Sequence, residues 1–427
     1  MDMEIEKILS QLIKIPSVNP PGGETAVAEY LKKLFDAAGI GNEIIESAPG
    51  RGSFIASLGG GQKSLLFLSH ADVVPTGEGW DFDPFCGEIR DGMVLGRGAV
   101  DCKGLVAAEA WAMLQLHKLK LGGRLIFAAT ADEEAGGANG VRFLIDKHPA
   151  KLRADFAINE GGEEPTRIRG RLTCFVQAGE KGAAWTHLKL SGVSCHGAIP
   201  TLGDNAITKA ARAVARLSDY RTDVNILPTM KALLDTVARQ QGYGRVNKEN
   251  LDAVLDSLPD RPFAETLRSL TRMTLSPNLI QGGTKTNIVP DKCEVDVDVR
   301  VLPGQDREYL LSALRPLVGE DADIDIPDFG PASASPTDTP AYGLIEQTMK
   351  EVIGDVDCVP MMSAGATDSR YLRLAGIPAY GPSVSDPGSD PAIRRHYHAR
   401  NERIDIGSVK RKADFLVKLA LNYLGER

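Results

Sequence analysis

Ser64-Leu-Leu-Phe-Leu-Ser-His70-Ala-Asp72 is the stretch on which the fold turns. Its apolar residues run without alternation and stop abruptly at an imidazole and a carboxylate. An unbroken run of this kind suits a central strand covered on both faces, as in mostly parallel sheets. Two further runs repeat the design: Leu125-Ile-Phe-Ala-Ala129 leads to Asp132-Glu133-Glu134, and Ala154-Asp-Phe-Ala-Ile158 leads to Asn159-Glu160-Gly161-Gly162. A fourth strand is expected over 376–381, ahead of a loop carrying His396-Tyr397-His398. Helical stripes separate the runs: Ile5, Ile8, Leu9, Leu12 and Ile13, then Val27, Tyr30, Leu31, Leu34 and Phe35, then residues 105–119. The pattern predicts an α/β layer structure, a mostly parallel central sheet with helices on both faces.

The texture changes near residue 180. Trp185-Thr-His-Leu-Lys-Leu190 and Cys293-Glu-Val-Asp-Val-Asp-Val-Arg300 alternate, as half-exposed antiparallel strands do. With helices at 206–217 and 307–318 and a closing strand at 322–326, the order describes an inserted ferredoxin-like α+β domain. Residues 220–276 read as a charged helical insertion within it. Pro331-Ala-Ser-Ala-Ser-Pro-Thr-Asp-Thr-Pro340 reads as the return linker, followed by helices at 341–352, 369–374 and 409–424. The expected division is therefore 1–179 and 333–427 for the first domain and 180–332 for the second.

At 427 residues the chain is too long for one ordinary core. A formal charge of −8 argues against nucleic acid, and no apolar run approaches the roughly 20 residues that span a bilayer. The acidic, amphipathic start is unlike a signal peptide. Six cysteines without a C-x-x-C pair fit reduced thiols in a cytoplasmic protein.

In open α/β sheets, ligands gather at the carboxyl ends of the strands. His70, Asp132-Glu133-Glu134, Glu160 and the 396–398 histidines all follow strand runs. Asp101 adds a fifth point, in the glycine turn Gly96-Arg-Gly-Ala-Val-Asp101-Cys-Lys-Gly104. Any one such acid is commonly a helix cap; together they point to a metal. Imidazoles and carboxylates without a thiolate pair suit Zn²⁺, Co²⁺ or Mn²⁺. The His70-x-Asp72 spacing puts both side chains on one face, so that Asp72 can orient the imidazole. Glu133 and Glu134 point opposite ways in extended backbone, so one can hold metal and the other serve as general base; spacing leaves open which does which.

These motifs resemble one family. His70-Ala-Asp72-Val-Val-Pro75 with Trp80 and Asp83-Pro84-Phe85, the glycine turn at 96–104, Asp132-Glu133-Glu134 with Gly136-Gly137, and Asn159-Glu160-Gly161-Gly162 occur in its order. Gly365-Ala-Thr-Asp368-Ser-Arg370 and His398-Ala-Arg-Asn401-Glu402 complete it. The chain is similar to the dizinc family of aminoacylase, acetylornithine deacetylase, succinyl-diaminopimelate desuccinylase and glutamate-releasing carboxypeptidase. The resemblance implies a zinc-peptidase fold and two zinc ions bridged by Asp101. It places His70 and Glu160 on one ion, and Glu134 and His398 on the other. His398 is preferred to His396 because the family spacing is His-x-x-Asn/Asp-Glu. Glu133 becomes the general base for a metal-bound water. The resemblance also implies a cis peptide at Asp101–Cys102. It makes the inserted domain a lid and dimerisation domain, with His196 of Ser191-Gly-Val-Ser-Cys-His196-Gly supplied to a neighbouring subunit as an oxyanion donor. Asn287 and Arg300 would contact substrate, Arg300 by gripping a carboxylate. Arg370 is a second candidate for that grip, with a structural ion pair as its alternative. Two positions depart from the family: Cys102 stands where Met is common, and Cys195 where a small residue is frequent.

The function so implied is metal-dependent hydrolysis of an amide or peptide bond beside a free carboxylate, in an N-acyl amino acid or short peptide, by a cytoplasmic homodimer. A non-catalytic homologue that binds metal and ligand is the alternative. A serine hydrolase lacks its Gly-x-Ser-x-Gly elbow.

Overall fold

The computed structural model describes residues 4–162, 165–168, 170–320 and 322–426. By contact density the chain divides into two compact units, one of residues 1–178, 335–361 and 367–427, the other of 179–334 and 362–366.

In the first unit the strand Ser64–His70 lies at the centre of the sheet. It pairs in parallel with Arg124–Thr130 on one side and Phe156–Ile158 on the other, and Phe156–Ile158 pairs in parallel with Ala379–Pro382. Its side chains alternate between two cores. Leu65 and Phe67 join the helices Ile5–Ile13, Lys103–Leu116, Pro340–Ile353 and Ile406–Leu424, while Leu66 and Leu68 join Val141–Lys147 and Ser369–Leu374. Both faces are covered, which is why the run shows no alternation.

The sequence predicts a mostly parallel sheet; the sheet is mixed. Asn42–Glu46, Gly52–Gly59 and Arg171–Glu180 extend it with antiparallel pairings. Antiparallel neighbours need no helical crossover, so no helix flags their presence between the runs. The parallel strands still end at one edge, where His70 lies opposite Thr130.

Asp101 reaches that edge through a tight turn between the strand Met93–Leu95 and the helix Lys103–Leu116. Gly96 has φ +140°, and a Cβ there would collide with Ile13 and the Pro84 carbonyl. A Cβ on Gly104 would collide with the Ala99 carbonyl. The Asp101–Cys102 peptide is cis, as the resemblance implied.

The second unit is β-rich. Its antiparallel sheet runs Asp323–Asp325, Thr186–Ser191, Lys292–Val301, Thr274–Gly282, and the helices Ala206–Asp219 and Arg307–Val318 contribute to its core. Val295, Val297, Val299 and Val301 face that core, and the acids between them face outward. The insertion forms helices Pro228–Gln240, Leu251–Asp256 and Arg261–Ser269, but residues 274–276 belong to the next strand rather than to it.

Lys181 anchors the end of this insertion. It is 1% exposed, and its Nζ contacts the carbonyls of Ser269 and Arg272 and the Thr274 hydroxyl at 2.9–3.0 Å. Burial pulls the amine down to about 7. As a neutral amine it can still donate to both carbonyls while accepting from the hydroxyl. From about pH 7 towards 10 the unfolded chain then binds the additional proton, so stability rises with pH. Wild type is expected to gain melting temperature between pH 7 and 9.5, and Lys181→Met to lose that part of the slope. Parallel slopes in the two proteins would contradict this account.

Candidate metal centre

The strand ends and the glycine turn deliver their side chains to one point. His70 is 1% exposed at the end of its strand. Its Nδ1 lies 3.0 Å from the Asp72 carbonyl, which leaves Nε2 facing Asp101 Oδ1 at 3.0 Å and Glu160 Oε1 at 3.7 Å. The other Asp101 oxygen, Oδ2, lies 3.0 Å from His398 Nε2, and His398 in turn meets Glu134 Oε2 at 3.2 Å. One carboxylate therefore stands between two imidazoles, with one oxygen towards each. His396 points elsewhere, its Nδ1 3.1 Å from the Arg400 carbonyl.

Glu133 and Glu134 lie on a short 3-10 turn, Glu133–Ala135, not on extended backbone. Successive side chains there diverge by about a third of a turn, which still separates the two carboxylates. The turn is entered through Asp132 in the left-handed region, φ 71°.

The charges are poorly balanced without cations. Burial, then Glu160, pushes the Glu133 carboxyl well above the usual range. Burial also raises Glu160. The adjacent Asp101 and Glu134 carboxylates push His398 up to about 10. Ligand atoms of His70, Asp101 and Glu134 lie within 4.8 Å of one another, as do those of His70, Cys102 and Glu160. Two imidazoles and three carboxylates gathered around two such clusters are a donor set that fits a pair of divalent ions, which would supply the missing positive charge.

Residues 66–422 match the model of peptidase family M20/M25/M40. The chain belongs to that family. It is similar to the N-fatty-acyl-amino acid synthase/hydrolase PM20D1 of Bos taurus, 29% identical over 451 residues, covering 98% of this chain and 87% of that protein. It is also similar to a succinyl-diaminopimelate desuccinylase of Parvibaculum lavamentivorans, 26% identical over 434 residues, covering 98% and 95%. Among solved structures, the M20 family metallo-carboxypeptidase Sso-CP2 from Sulfolobus solfataricus shares the fold, with a TM-score of 0.74, 23% identity and 99% of each chain covered. This M20 chain is a metal-dependent hydrolase, and its two candidate metal clusters suggest a binuclear cofactor.

Around the M20 centre lies a shell of polar residues, of which the sequence assigned a role to Asp72 alone. The Asp72 carboxylate accepts the Glu133 and Glu134 amides at 3.1 Å each, whereas its distance to His70 Nδ1 is 3.5 Å. Its side chain fixes the two glutamates, and its carbonyl orients the histidine. Asn19 Nδ2 bridges Asp72 Oδ2 at 2.8 Å and Asp132 Oδ1 at 3.1 Å, and Arg51 joins Asp132 and Glu24 at 2.6 and 2.8 Å. On the other side Glu402 accepts the Val100 and Asp101 amides at 2.8 and 3.1 Å and pairs with Arg97 at 2.6 Å. Arg97 also donates to the Ala399 carbonyl at 3.1 Å. This pair ties the turn carrying Asp101 to the loop carrying His398. Glu402 stood in a recognised motif, but no local pattern indicates its partner.

Both members of the Arg97–Glu402 pair are fully buried. Glu402→Ala strands a buried guanidinium and frees two amides, and is expected to cost about 3–5 kcal/mol. Chemical denaturation checks this, and a loss below about 1 kcal/mol would count against the pair as the tie.

The remaining predicted residues fall in two places. Arg370 donates to the Gly136 carbonyl at 2.9 Å and lies over the Tyr371 ring, so it braces the loop after Glu134 through a carbonyl rather than a carboxylate. His196 and Asn287 are neighbours in the second unit: His196 pairs with Ile288 across a two-stranded ribbon, and the Gly197 amide donates to the Asn287 carbonyl at 2.8 Å. Arg300, on the alternating strand, is engaged by both oxygens of Asp298 at 2.8 and 3.2 Å.

Proposed function

We propose that this M20 hydrolase releases an amino acid or amine from an N-acyl amino acid or short peptide, cutting the amide bond beside a free carboxylate. The observation that carries the reading is the Asp101 carboxylate with one oxygen 3.0 Å from each of two histidines. In this reading His70 and Glu160 would hold one zinc ion, Glu134 and His398 the other, and Asp101 would serve both; cobalt or manganese would suit the same donors. Such ions, when bound, polarise the scissile carbonyl and make water more acidic.

The chain's own groups do the rest. Glu133, on a turn fixed by Asp72, takes a proton from the attacking water and returns it to the leaving amine. His196, supplied by a neighbouring subunit, donates to the developing oxyanion. Asn287 holds the substrate, and Arg300, with Arg370 as the second candidate, grips its carboxylate by paired hydrogen bonds. The relatives support this class, since one is an N-fatty-acyl-amino acid synthase/hydrolase and another a succinyl-diaminopimelate desuccinylase.

The second unit is the proposed lid and dimerisation domain, and its element order and sheet order support the ferredoxin-like reading. Thr274–Gly282 is its outer strand, and Leu279 and Ile280 on it are 57% and 54% exposed. An apolar sheet edge left in water invites pairing, which supports a homodimer formed there. Six free thiols support a reducing, cytoplasmic setting.

The test is amine release by zinc-loaded protein from acetyl, succinyl and longer acyl amino acids and from dipeptides. Turnover of at least one class is expected. Binding of zinc with no turnover of any would overturn the proposal in favour of a ligand-binding homologue.

A further inference from the structure

Cys102 has no part in the reading above. It directly follows Asp101, is 1% exposed, and stands where a small buried hydrophobe would serve. Its surroundings are not those of a hydrophobe. Its sulfur, a His70 ring nitrogen and a Glu160 carboxylate oxygen all lie within 4.8 Å of one another. The His70 nitrogen turned to Glu160 is Nε2, 3.7 Å away, because Nδ1 is taken by the Asp72 carbonyl. Ligand atoms about a tetrahedral ion with bonds of about 2.0–2.3 Å are separated by roughly 3.3–3.8 Å. The three donors need only a small contraction to reach that spacing.

We propose that Cys102 is a further ligand of the ion held by His70 and Glu160, which makes that position a mixed imidazole, carboxylate and thiolate site. The inference rests on the two-metal reading and adds an asymmetry to it. The His398–Glu134 position has nitrogen and oxygen donors alone, whereas the His70 position carries one soft donor. On loading, the Cys102 S–H bond breaks, its proton passes to solvent, and a sulfur lone pair forms the bond to the ion, with no change of oxidation state. Soft donors favour Zn²⁺, Co²⁺ and Cd²⁺ over Mn²⁺ and Mg²⁺, so the two positions differ in metal preference.

The full chain, stripped with chelator and reloaded with Co²⁺, provides the test, with bound cobalt counted by elemental analysis. Expected is an intense near-ultraviolet thiolate-to-cobalt absorption in wild type. It is lost in Cys102→Ser with both cobalt ions retained, and kept in Cys358→Ala. Zinc competition against a chelator should show one position weakened in Cys102→Ser by about tenfold or more, the lower bound set by losing a mere outer-shell partner. Should Cys102→Ser fail to fold, cadmium NMR of the wild-type protein distinguishes a sulfur-ligated ion from one with nitrogen and oxygen donors only. Two bound cobalt ions without the absorption, or an absorption that survives Cys102→Ser, overturn Cys102 as a ligand and leave the two-metal reading standing. Fewer than two cobalt ions bound by wild type overturns the two-metal reading, and ligation by Cys102 with it.

Discussion

Asp101→Ala is expected to empty both metal positions at once. Its two oxygens face different histidines, each at 3.0 Å, so this one carboxylate has a stake in both halves. Glu160 lies against His70, and Glu134 against His398. Glu160→Ala and Glu134→Ala should therefore each weaken mainly one position. Elemental analysis of purified, reloaded protein reads the difference: two ions in wild type, none in Asp101→Ala, about one in either glutamate variant. Activity should fall by at least the roughly 10²–10³-fold that follows loss of one oxyanion donor. Retention of a full equivalent by Asp101→Ala would show that the carboxylate is not shared.

Glu133→Gln should separate chemistry from metal binding. The substitution keeps the size of the side chain and its place on a turn held by Asp72. It removes the basic oxygen that accepts the proton. Both ions should remain, KM should change little, and kcat should fall by about 10²–10⁴, the usual contribution of a positioned general base. Loss of metal in Glu133→Gln would instead make Glu133 a ligand and throw the base onto Glu134.

The sequence was most informative where chemistry follows burial. Each of Ser64–His70, Arg124–Thr130 and Phe156–Ile158 is an apolar run buried on both faces, and the reactive residue comes just after the run ends. That juxtaposition is local, so it can be read from the chain. The outer strands were harder. Gly52–Gly59 begins and ends with glycine and includes two serines, while Arg171–Glu180 buries Thr173, Gln177 and Glu180 among its apolar residues. Such polar residues break the run that marks a covered strand, and the sheet was taken as more parallel than it is. The geometry of Glu133 and Glu134 was also beyond spacing, because a 3-10 turn and a strand present adjacent residues differently. Hardest were Asn19, Arg51 and Arg97. Their side-chain partners lie 27 to 305 residues away, and no periodicity encodes such a pairing.

The Arg97–Glu402 pair sets an order of events in synthesis. Glu402 lies 305 residues after Arg97 and supplies the carboxylate that receives the Val100 and Asp101 amides. During translation the group that aims Asp101 emerges long after the glycine turn, in company with His398. Contacts of such long sequence separation form late and slowly. A chain whose synthesis stops short of residue 402 therefore offers scattered acids rather than a finished centre, and ion capture waits on the closing of this pair.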